Sequence, residues 1–294
     1  MTLSSIIIRT FNEENHIGNF LSAIADQELR DYEIILVDSG SNDRTLEIAT
    51  PRCSRVIQIA SRDFTFGYSL NRGCEAAQGE YLVVVSAHAY PTDSKWLSAL
   101  LDPFSNKNVA MVYGRHIGAQ TTKFSERRDF EAYFGADEKK KHPLPYFANN
   151  ANSAIRAALW KQFPFDEYLT GLEDIAWARK AIAKGYKVFY APYAAANHIH
   201  EESSLQVYNR YRREAIAARR IGIPRPPFAV PNVTFFFKNL IGDLFAQSPR
   251  FSFRGVKEIF NFRYNQWKGT RQGWYYDRNI DIDRERGALF FSGA

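Results

Sequence analysis

The chain has 294 residues, 45% hydrophobic and 24% charged, an ordinary composition for one globular domain or one domain with an appendage. Its two cysteines, Cys53 and Cys74, exclude a disulfide scaffold, and no apolar run is long enough to span a membrane. Because the N-terminus also has neither the basic region nor the cleavage site of a signal peptide, we expect a cytoplasmic protein.

The net charge of +6 is unevenly distributed along the chain. Residues 1–202 carry 22 basic and 25 acidic side chains, whereas residues 203–294 carry 16 basic and 7 acidic ones, together with many large aromatic side chains. This mixture suits an anionic lipid surface, which predicts a peripheral position on the inner leaflet of a membrane. The alternative is a set of helices that pack on the main domain with a solvated arginine face. No nucleic-acid module is recognisable, so we expect no nucleic-acid partner.

Strands and helices alternate through the first hundred residues. The run SSIIIRTF predicts a buried strand, and the apolar spacing in NEENHIGNFLSAIADQ predicts a helix after it. YEIILVD, RVIQIA and EYLVVVSAH predict three more strands, with helices at TLEIA and GYSLNRGCEAAQG between them and another from Thr92 or Asp93 onward. The alternation predicts an α/β fold with a doubly wound, mainly parallel sheet flanked by helices.

Sheets of this kind bind ligands at the carboxyl ends of their strands, and polar residues follow three of the predicted strands. They are Thr10, Asn12 and Glu13 after the first, Asp38, Ser39, Gly40 and Ser41 after the second, and Ser86 and His88 after the fourth. A carboxylate there can accept a hydrogen bond from a pyrimidine N–H or a ribose hydroxyl, and a glycine lets the backbone approach a ligand. Each residue alone is typical of a turn or a helix cap, but together they predict a nucleotide pocket.

Four segments in order resemble glycosyltransferase family 2, whose members have the GT-A fold. They are IIIRTFNEENHI, YEIILVDSGSNDRT, LNRGCEAAQGEYLVVV, and the long stretch from NNANSAIR through GLEDIAW to ANHIH, which together cover about residues 4–200. The resemblance implies inverting transfer of a sugar from a nucleotide-sugar donor to an acceptor. For a chain of this kind we expect a hexosyl or related group to be transferred to a glycan or lipid-linked saccharide, in bacterial-type surface polysaccharide synthesis.

The resemblance also implies roles for individual residues. The catalytic residues would be Asp174, as the base, and Glu173, as its partner. The nucleotide-binding residues would be Thr10, Asn12, Glu13, Asp38, Ser39, Gly40, Asn71, Ser86 and His88. The acceptor-binding residues would be Asn149, Asn150, Asn152 and Trp177, although an aromatic residue on a helix is more often part of the core.

The chemistry is consistent with Asp174 as the base. Inverting transfer needs a group that takes the proton of the acceptor hydroxyl as it attacks the anomeric carbon. The segment LEDIAWARKAIAKGY predicts a helix that begins at this carboxylate, and free backbone N–H groups at a helix start hold an anion in place. The simpler explanation is that Glu173 and Asp174 only complement the helix dipole.

The segment Ser86-Ala87-His88 stands where the family usually has Asp-x-Asp, which binds Mg²⁺ or Mn²⁺. It supplies no carboxylate, and hard divalent ions prefer oxygen ligands. Three hypotheses remain open: a weak metal site built from His88, His198 and His200, metal-independent transfer in which His88 and arginine side chains stabilise the phosphate charge, or an inactive homologue. We favour an enzyme that needs no metal or binds one weakly, because both Asp38 and Asp174 are retained.

The chain changes character after His200. We expect a glycosyltransferase domain over residues 1–202 and a basic, aromatic helical region over residues 203–294, with helices in SLQVYNRYRREAIAARRIG, NVTFFFKNLIGDLF and GVKEIFNFRYNQWKGTRQGWYY. This region would bind a membrane surface or form a homodimer. The alternative to an enzyme is a non-catalytic homologue that binds a glycan or a partner protein.

Overall fold

The structure is a computed structural model that describes residues 2–137, 144–247, 252–277 and 280–291. The chain forms two compact units. The first comprises Met1–Ile117, Tyr133–Glu167 and Glu173–His198, and the second comprises Gly118–Ala132, Tyr168–Leu172 and Ile199–Ala294. The boundary expected between residues 202 and 203 stays a prediction.

Eight strands are assigned in the described residues. They are β1 (Ser4–Thr10), β2 (Tyr32–Asp38), β3 (Arg55–Gln58), β4 (Tyr81–Ser86), β5 (Ala89–Pro91), β6 (Val109–Gly118), β7 (Asn152–Arg156) and β8 (Lys187–His198). The α-helices are α1 (Ile17–Ala25), α2 (Thr45–Ala49), α3 (Phe66–Ala76), α4 (Trp96–Leu101), α5 (Phe124–Tyr133), α6 (Ala157–Gln162), α7 (Glu173–Ala183), α8 (Ser204–Arg220), α9 (Val233–Gln247), α10 (Phe253–Tyr275) and α11 (Ile282–Phe290).

The strands form one sheet in the order β3-β2-β1-β4-β7-β6-β8-β5. Strands β3, β2, β1 and β4 are parallel, whereas β7 runs antiparallel to β4 and β6, and β5 runs antiparallel to β8. This confirms the α/β fold class, and the first four strands in sequence form a continuous parallel part of the sheet. Because β7 is antiparallel to β4, it begins at the edge of the sheet where β1, β2 and β4 end.

The core of the first unit lies on both faces of the sheet. Ile6, Ile7 and Ile8 in the middle of β1 are fully buried, as expected for three consecutive apolar residues in a strand covered on both faces. Ile6 and Ile8 belong to a cluster with Phe20 of α1 and other residues of α1 and α4. On the opposite face, a Cβ at Gly73 of α3 would lie 2.5 Å from Cγ2 of Ile7, so a glycine is needed for α3 to pack this closely on β1.

The fourth predicted strand is shorter than the sequence pattern indicated. Strand β4 ends at Ser86, and residues 87 and 88 form a turn before β5. His88 therefore lies in a turn rather than at the end of a strand. Helix α4 also begins later than predicted, at Trp96, because Asp93 accepts a hydrogen bond from the backbone N–H of Lys95 in the preceding turn (2.9 Å).

The second unit is built around α8 and α10. Ser203 and Gln206 form a capping box at the start of α8. The two helices are in close contact, since a Cβ at Gly269 or Gly273 of α10 would lie 2.2 Å from a backbone oxygen of α8. Within the described residues, we find no helix that is both long and apolar enough to cross a membrane.

Candidate active site

The register of the sheet brings most of the predicted polar residues to one edge. Thr10 is paired with Asp38 of β2, and Arg9 is paired with Ser86 of β4. At the same edge, the backbone N–H of Ser86 donates to the carbonyl oxygen of Ala151, just before β7 (3.2 Å). The ends of β1, β2 and β4 and the start of β7 therefore surround one site.

Asp38 organises the loop after β2. Its buried carboxylate accepts hydrogen bonds from Thr10 Oγ1 (3.1 Å), the backbone N–H groups of Gly40 (3.0 Å) and Ser41 (2.9 Å), and the Ser41 hydroxyl. Gly40 has a φ of +90°, and a Cβ there would lie 2.6 Å from Ser61 Oγ. Four hydrogen-bond donors already occupy the Asp38 carboxylate. The nucleobase of a bound nucleotide could therefore hydrogen-bond to it only by displacing one of these donors.

The loop after β1 is tied to the loop after β2. Asn12 has a φ of +54°, its backbone N–H donates to Ser41 Oγ (2.8 Å), and its side-chain oxygen accepts from the N–H of Asn42 (3.0 Å). The N–H of Glu13 donates to Thr45 Oγ1 (2.7 Å). These hydrogen bonds fix the positions of Asn12 and Glu13 beside the site.

His88 is held by Glu13. Nδ1 of His88 lies 2.7 Å from Oε1 of Glu13, and both side chains are partly buried. The imidazole ring of His88 also stacks on His198, with 5.3 Å between ring centroids, and meets the ring of His16 edge-on at 6.3 Å. A carboxylate at Nδ1 orients the imidazole ring.

Two carboxylates lie together at the start of α7. Glu173 and Asp174 are both buried in the first turn. Asp174 accepts hydrogen bonds from the backbone N–H groups of Asn150 (2.9 Å) and Ile175 (2.7 Å), and Glu173 accepts one from Nδ2 of Asn150 (3.1 Å). Burial, and next the negative charge of Glu173, raise the pKa of Asp174 to about 8. Asp174 can therefore take up a proton near neutral pH.

Arg9 is a residue of this site that the sequence analysis missed. Burial lowers the pKa of Arg9, and the charges of Glu173 and Asp174 oppose that effect. Its guanidinium group lies over the ring of Phe66, 4.8 Å from the centroid. The available signal was a cationic residue that directly follows the apolar run Ile6, Ile7 and Ile8 and precedes the predicted site.

Two buried polar atoms at this edge have no hydrogen-bond partner in the described part of the chain. They are Nε of Arg9 and Oγ of Ser39. Buried polar atoms are rarely left unsatisfied, so a polar ligand is the simplest partner for both. The site thus combines a buried pair of carboxylates, a cation and two unsatisfied polar atoms, which suits proton transfer beside a bound polar ligand.

Residues 5–163, more than half of the chain, match the family model of glycosyl transferase family 2. The chain belongs to this family. This confirms the resemblance and identifies the protein as a glycosyltransferase.

Relatives of this chain are also named as glycosyltransferases. The chain is 27% identical over 220 residues to the O-antigen chain rhamnosyltransferase RfbN of Salmonella typhimurium, and the alignment covers 70% of this chain and 69% of that protein. It is 26% identical, with the same coverage, to the O-antigen chain rhamnosyltransferase WbaN of Salmonella anatum.

Solved structures support the fold. The mannosyltransferase PcManGT of Pyrobaculum calidifontis, solved with GDP-Man and Mn²⁺, matches 93% of this chain and 87% of its own, with a TM-score of 0.63 at 16% sequence identity. At this level of identity the match shows a shared fold.

Four residues predicted to bind ligands of the glycosyltransferase are buried and hydrogen-bonded within the protein. The amide of Asn71 donates to the oxygens of Phe165 and Glu167 and accepts from the indole of Trp160 and the N–H of Phe165. Asn152 is fully buried, and its amide contacts Trp96, Arg115 and Ala194. Both amides thus hydrogen-bond within the protein, and ligand binding by Asn71 and Asn152 stays a prediction.

Trp177 and Asn150 are also held within the protein. Trp177 is fully buried, donates from its indole N–H to the carbonyl oxygen of Phe163 (2.8 Å), and packs against the ring of Phe163, as a core residue does. Asn150 is buried and donates hydrogen bonds to both carboxylates of α7. Acceptor binding by either residue stays a prediction.

Asn149 and the predicted metal ligands are placed as follows. Asn149 is half-buried and its side chain accepts a hydrogen bond from the N–H of Ala151 (2.9 Å).

The predicted metal ligands are three histidines. Ring nitrogens of His88 and His198 lie within 4.8 Å of one another. His200 belongs to the second unit, where its Nδ1 lies 2.6 Å from the buried carboxylate of Glu126.

The groups around His88 are mixed in kind. His88 and His198 bring two imidazoles together, and Glu13 places a carboxylate against Nδ1 of His88. Hard ions such as Mg²⁺ and Mn²⁺ prefer oxygen ligands, so two imidazoles with one carboxylate are a poor match for either ion.

Proposed function

We propose that this glycosyltransferase moves a sugar from a nucleotide-sugar donor to an acceptor hydroxyl, with inversion at the anomeric carbon, and that Asp174 is the catalytic base. The observation that supports this role most strongly is the buried pair of Glu173 and Asp174, which raises the pKa of Asp174 to about 8. A base of that strength can accept a hydroxyl proton during attack and release it to solvent near neutral pH.

The chemical step is a single displacement. The acceptor oxygen forms a bond to the anomeric carbon while the bond from that carbon to the phosphate oxygen of the nucleotide breaks, and Asp174 takes the acceptor's proton. The N–H groups of Asn150 and Ile175 orient the carboxylate for this transfer. The negative charge that develops on the leaving phosphate requires a cationic partner.

Arg9 and His88 are the proposed partners of that phosphate. The Arg9 guanidinium has a buried Nε without a partner in the described residues, and His88 is held by Glu13. Charge-assisted hydrogen bonds from these groups can stabilise a phosphate directly. If Mn²⁺ binds, His88, His198 and Glu13 would hold it, and the ion would neutralise the same charge. Transfer would thus be independent of metal or weakly dependent on it.

The nucleoside part of the donor is proposed to bind at the loops after β1 and β2. Thr10, Asn12, Asp38 and Gly40 form or order these loops, and the buried Ser39 hydroxyl lacks a partner in the described residues. Ser86 and Glu13 complete this side of the site, and Asn149, which is half-buried, is the candidate we favour for contact with the acceptor.

The names of the relatives suggest which substrates to test. Because two of them are O-antigen chain rhamnosyltransferases, we propose transfer of rhamnose or a related hexose to a glycan or lipid-linked saccharide during surface polysaccharide synthesis. We also propose that the enzyme works at a membrane surface. A homodimer remains an alternative use of the C-terminal helices.

A nucleotide panel tests the donor site. We expect one of UDP, GDP, dTDP and CMP to raise the melting temperature more than the others, because a ligand that binds only the folded state stabilises it. The increase should persist when Mn²⁺ is replaced by a chelator and should shrink in the Arg9→Gln variant. Turnover of the matching nucleotide sugars, including a nucleoside-diphosphate rhamnose, would then identify the donor. Absence of any nucleotide effect and of any turnover would contradict the proposal and favour a non-catalytic homologue.

A further inference from the structure

Helix α9 exposes its apolar side. Val233, Phe237, Ile241 and Phe245 recur every four residues, which places them along one side of the helix, and they are 53%, 51%, 49% and 76% exposed. An ordinary surface helix buries such a stripe and exposes its polar side.

The buried side of α9 is held by an ion pair. Only Phe236 and Asp243 are buried in this helix. Asp243 accepts a hydrogen bond from Nε of Arg263 in α10 at 2.7 Å and from Nη1 of Arg128 at 2.9 Å. The ion pair fixes the orientation of α9, so the exposed apolar side is a consequence of the packing.

The exposed apolar surface continues onto α10. The Phe236 ring lies 5.0 Å from Phe237 and 6.2 Å from Phe260, and Phe260 stacks on Tyr264 at 6.0 Å. We call the combined surface the aromatic face. It consists of Val233, Phe237, Ile241, Phe245, Phe253, Phe260 and Tyr264, all more than a third exposed. Contiguous apolar patches of this kind mark sites of interaction.

The charges on these two helices indicate the kind of partner. Among the described residues of α9 and α10, five exposed side chains are basic and one is acidic. The basic ones are Lys238, Arg254, Lys257, Lys268 and Arg271, and the acidic one is Glu258. Aromatic side chains mixed with basic ones suit the interface of an anionic bilayer, where the rings enter the headgroup region and the cations pair with phosphates.

A second copy of the chain fits this surface poorly. A two-fold symmetric dimer uses the same patch on both subunits. The five basic residues would then face five others of the same charge, with only Glu258 on each side to offset them. Repulsion between like charges opposes such a contact.

A cavity of about 750 Å³ adjoins the aromatic face at Val233. Its lining includes Trp267, Arg271 and Tyr276, and the Arg271 guanidinium lies 5.8 Å and 5.5 Å from the centroids of those two rings. An arginine held between aromatic rings can present its N–H groups to a phosphate. The residues that line the cavity are of the kind expected to bind a lipid headgroup.

We propose that the aromatic face docks on a bilayer that contains anionic phospholipid. Its apolar side chains enter the headgroup region, and Arg271 binds a lipid phosphate in the adjoining cavity. Docking requires no catalytic turnover, so it succeeds or fails independently of the role proposed for Asp174.

The first test removes the apolar contact. The full chain is floated with phosphatidylcholine vesicles that contain or lack phosphatidylglycerol. We expect binding to the anionic vesicles, and a loss on the order of tenfold or more in the double variant Phe237→Ser, Phe245→Ser. Tyr193→Ser, at a site that is 72% exposed in the first unit, is the matched control and should bind normally. Thermal melts should show that all variants are folded.

The second test changes the charge. The double variant Lys238→Glu, Lys257→Glu should bind the anionic vesicles more weakly, by about fivefold or more for each residue changed. Added salt should also weaken binding of the wild-type chain. The control pair Lys107→Glu and Lys161→Glu, both exposed in the first unit, should have little effect. Equal binding to neutral and anionic vesicles would overturn the proposal. Size-exclusion chromatography with light scattering, without vesicles, gives the oligomeric state. A dimer of the wild-type chain that becomes a monomer in the Phe237→Ser, Phe245→Ser variant would also overturn the proposal.

Discussion

At the residue scale, the protonation of Asp174 depends on its neighbours. Burial and the charge of Glu173 raise its pKa, whereas the N–H groups of Asn150 and Ile175 and the positive charge of Arg9 lower it. The raised pKa means that most of the free enzyme holds a proton on Asp174 at pH 7. Since the deprotonated form is the active base, we expect kcat/KM to rise with pH through an apparent pKa near 8.

The variant Glu173→Gln tests this relation. Its side-chain oxygen can still accept the hydrogen bond from Asn150, but the negative charge beside Asp174 is gone. The pKa of Asp174 should fall, so the rising limb of the kcat/KM profile should move to lower pH, while burial keeps it above the usual range for Asp. The exposed site Glu131→Gln serves as the control. A limb that does not move in Glu173→Gln would argue against this electrostatic coupling.

The sequence indicated some residues of the candidate site and not others. It indicated Glu173 and Asp174 because a Glu-Asp pair begins an apolar helix in a family context, and their catalytic roles stay predictions. It did not indicate Arg9, because a single cation in a strand carries no periodic signal. The partners of Asn71, Asn152 and Trp177, Phe165, Ala194 and Phe163 among them, could not be predicted because they are distant in sequence.

At the element scale, the site depends on how strands end. Parallel strands β1, β2 and β4 bring their carboxyl ends to one edge, and antiparallel β7 starts there. The strand–helix alternation predicted the parallel half of the sheet. The antiparallel half was not predictable, because pairing of β7 with β4 and of β5 with β8 joins segments far apart in sequence and leaves no local pattern.

The backbone conformation of Gly40 in the loop after β2 should matter for stability and for nucleotide binding. Gly40→Ala would place a Cβ at a φ of +90° and 2.6 Å from Ser61 Oγ, which should destabilise the fold by about 1–2 kcal/mol and weaken nucleotide binding. Gly18→Ala in α1 is the matched control. Its Cβ would meet Ile48 at an ordinary 3.6 Å, so it should stabilise the protein by about 0.5–1 kcal/mol. Urea denaturation and nucleotide titration measure both effects; equal stability of the two variants would refute the argument.

At the scale of the whole molecule, charge separates the two parts of the chain. The net excess of basic residues in 203–294 was evident from the sequence, and so was its aromatic content. Which aromatic residues are exposed was not evident, because α9 has apolar side chains both on its exposed side and on its buried side, where Phe236 lies. Its orientation depends on the buried pairing of Asp243 with Arg263, a contact between helices that no local pattern predicts.

This buried ion pair should be important for the stability of the second unit. Arg263 is 2% exposed and lies 2.7 Å from both Asp129 and Asp243. Arg263→Leu would remove the ion-pair partner of the partly buried Asp129 and leave the buried Asp243 with Arg128 alone, and it should lower the free energy of unfolding by about 3–5 kcal/mol. Arg284→Leu, at an exposed site in the same unit, should change it by less than about 0.5 kcal/mol. Urea denaturation followed by tryptophan fluorescence would compare them, and similar midpoints would contradict this account.

The turnover of the Asp174→Asn variant is the most direct test of the proposed mechanism. With the donor identified by the nucleotide panel, we expect the rate of sugar transfer to fall by about a hundredfold to ten-thousandfold, because the amide cannot take a proton from the acceptor. The nucleotide should still raise the melting temperature of the variant, and Asp31→Asn, an exposed control, should transfer sugar normally. A folded Asp174→Asn enzyme that transfers sugar within a few-fold of the wild-type rate would show that Asp174 is not the base.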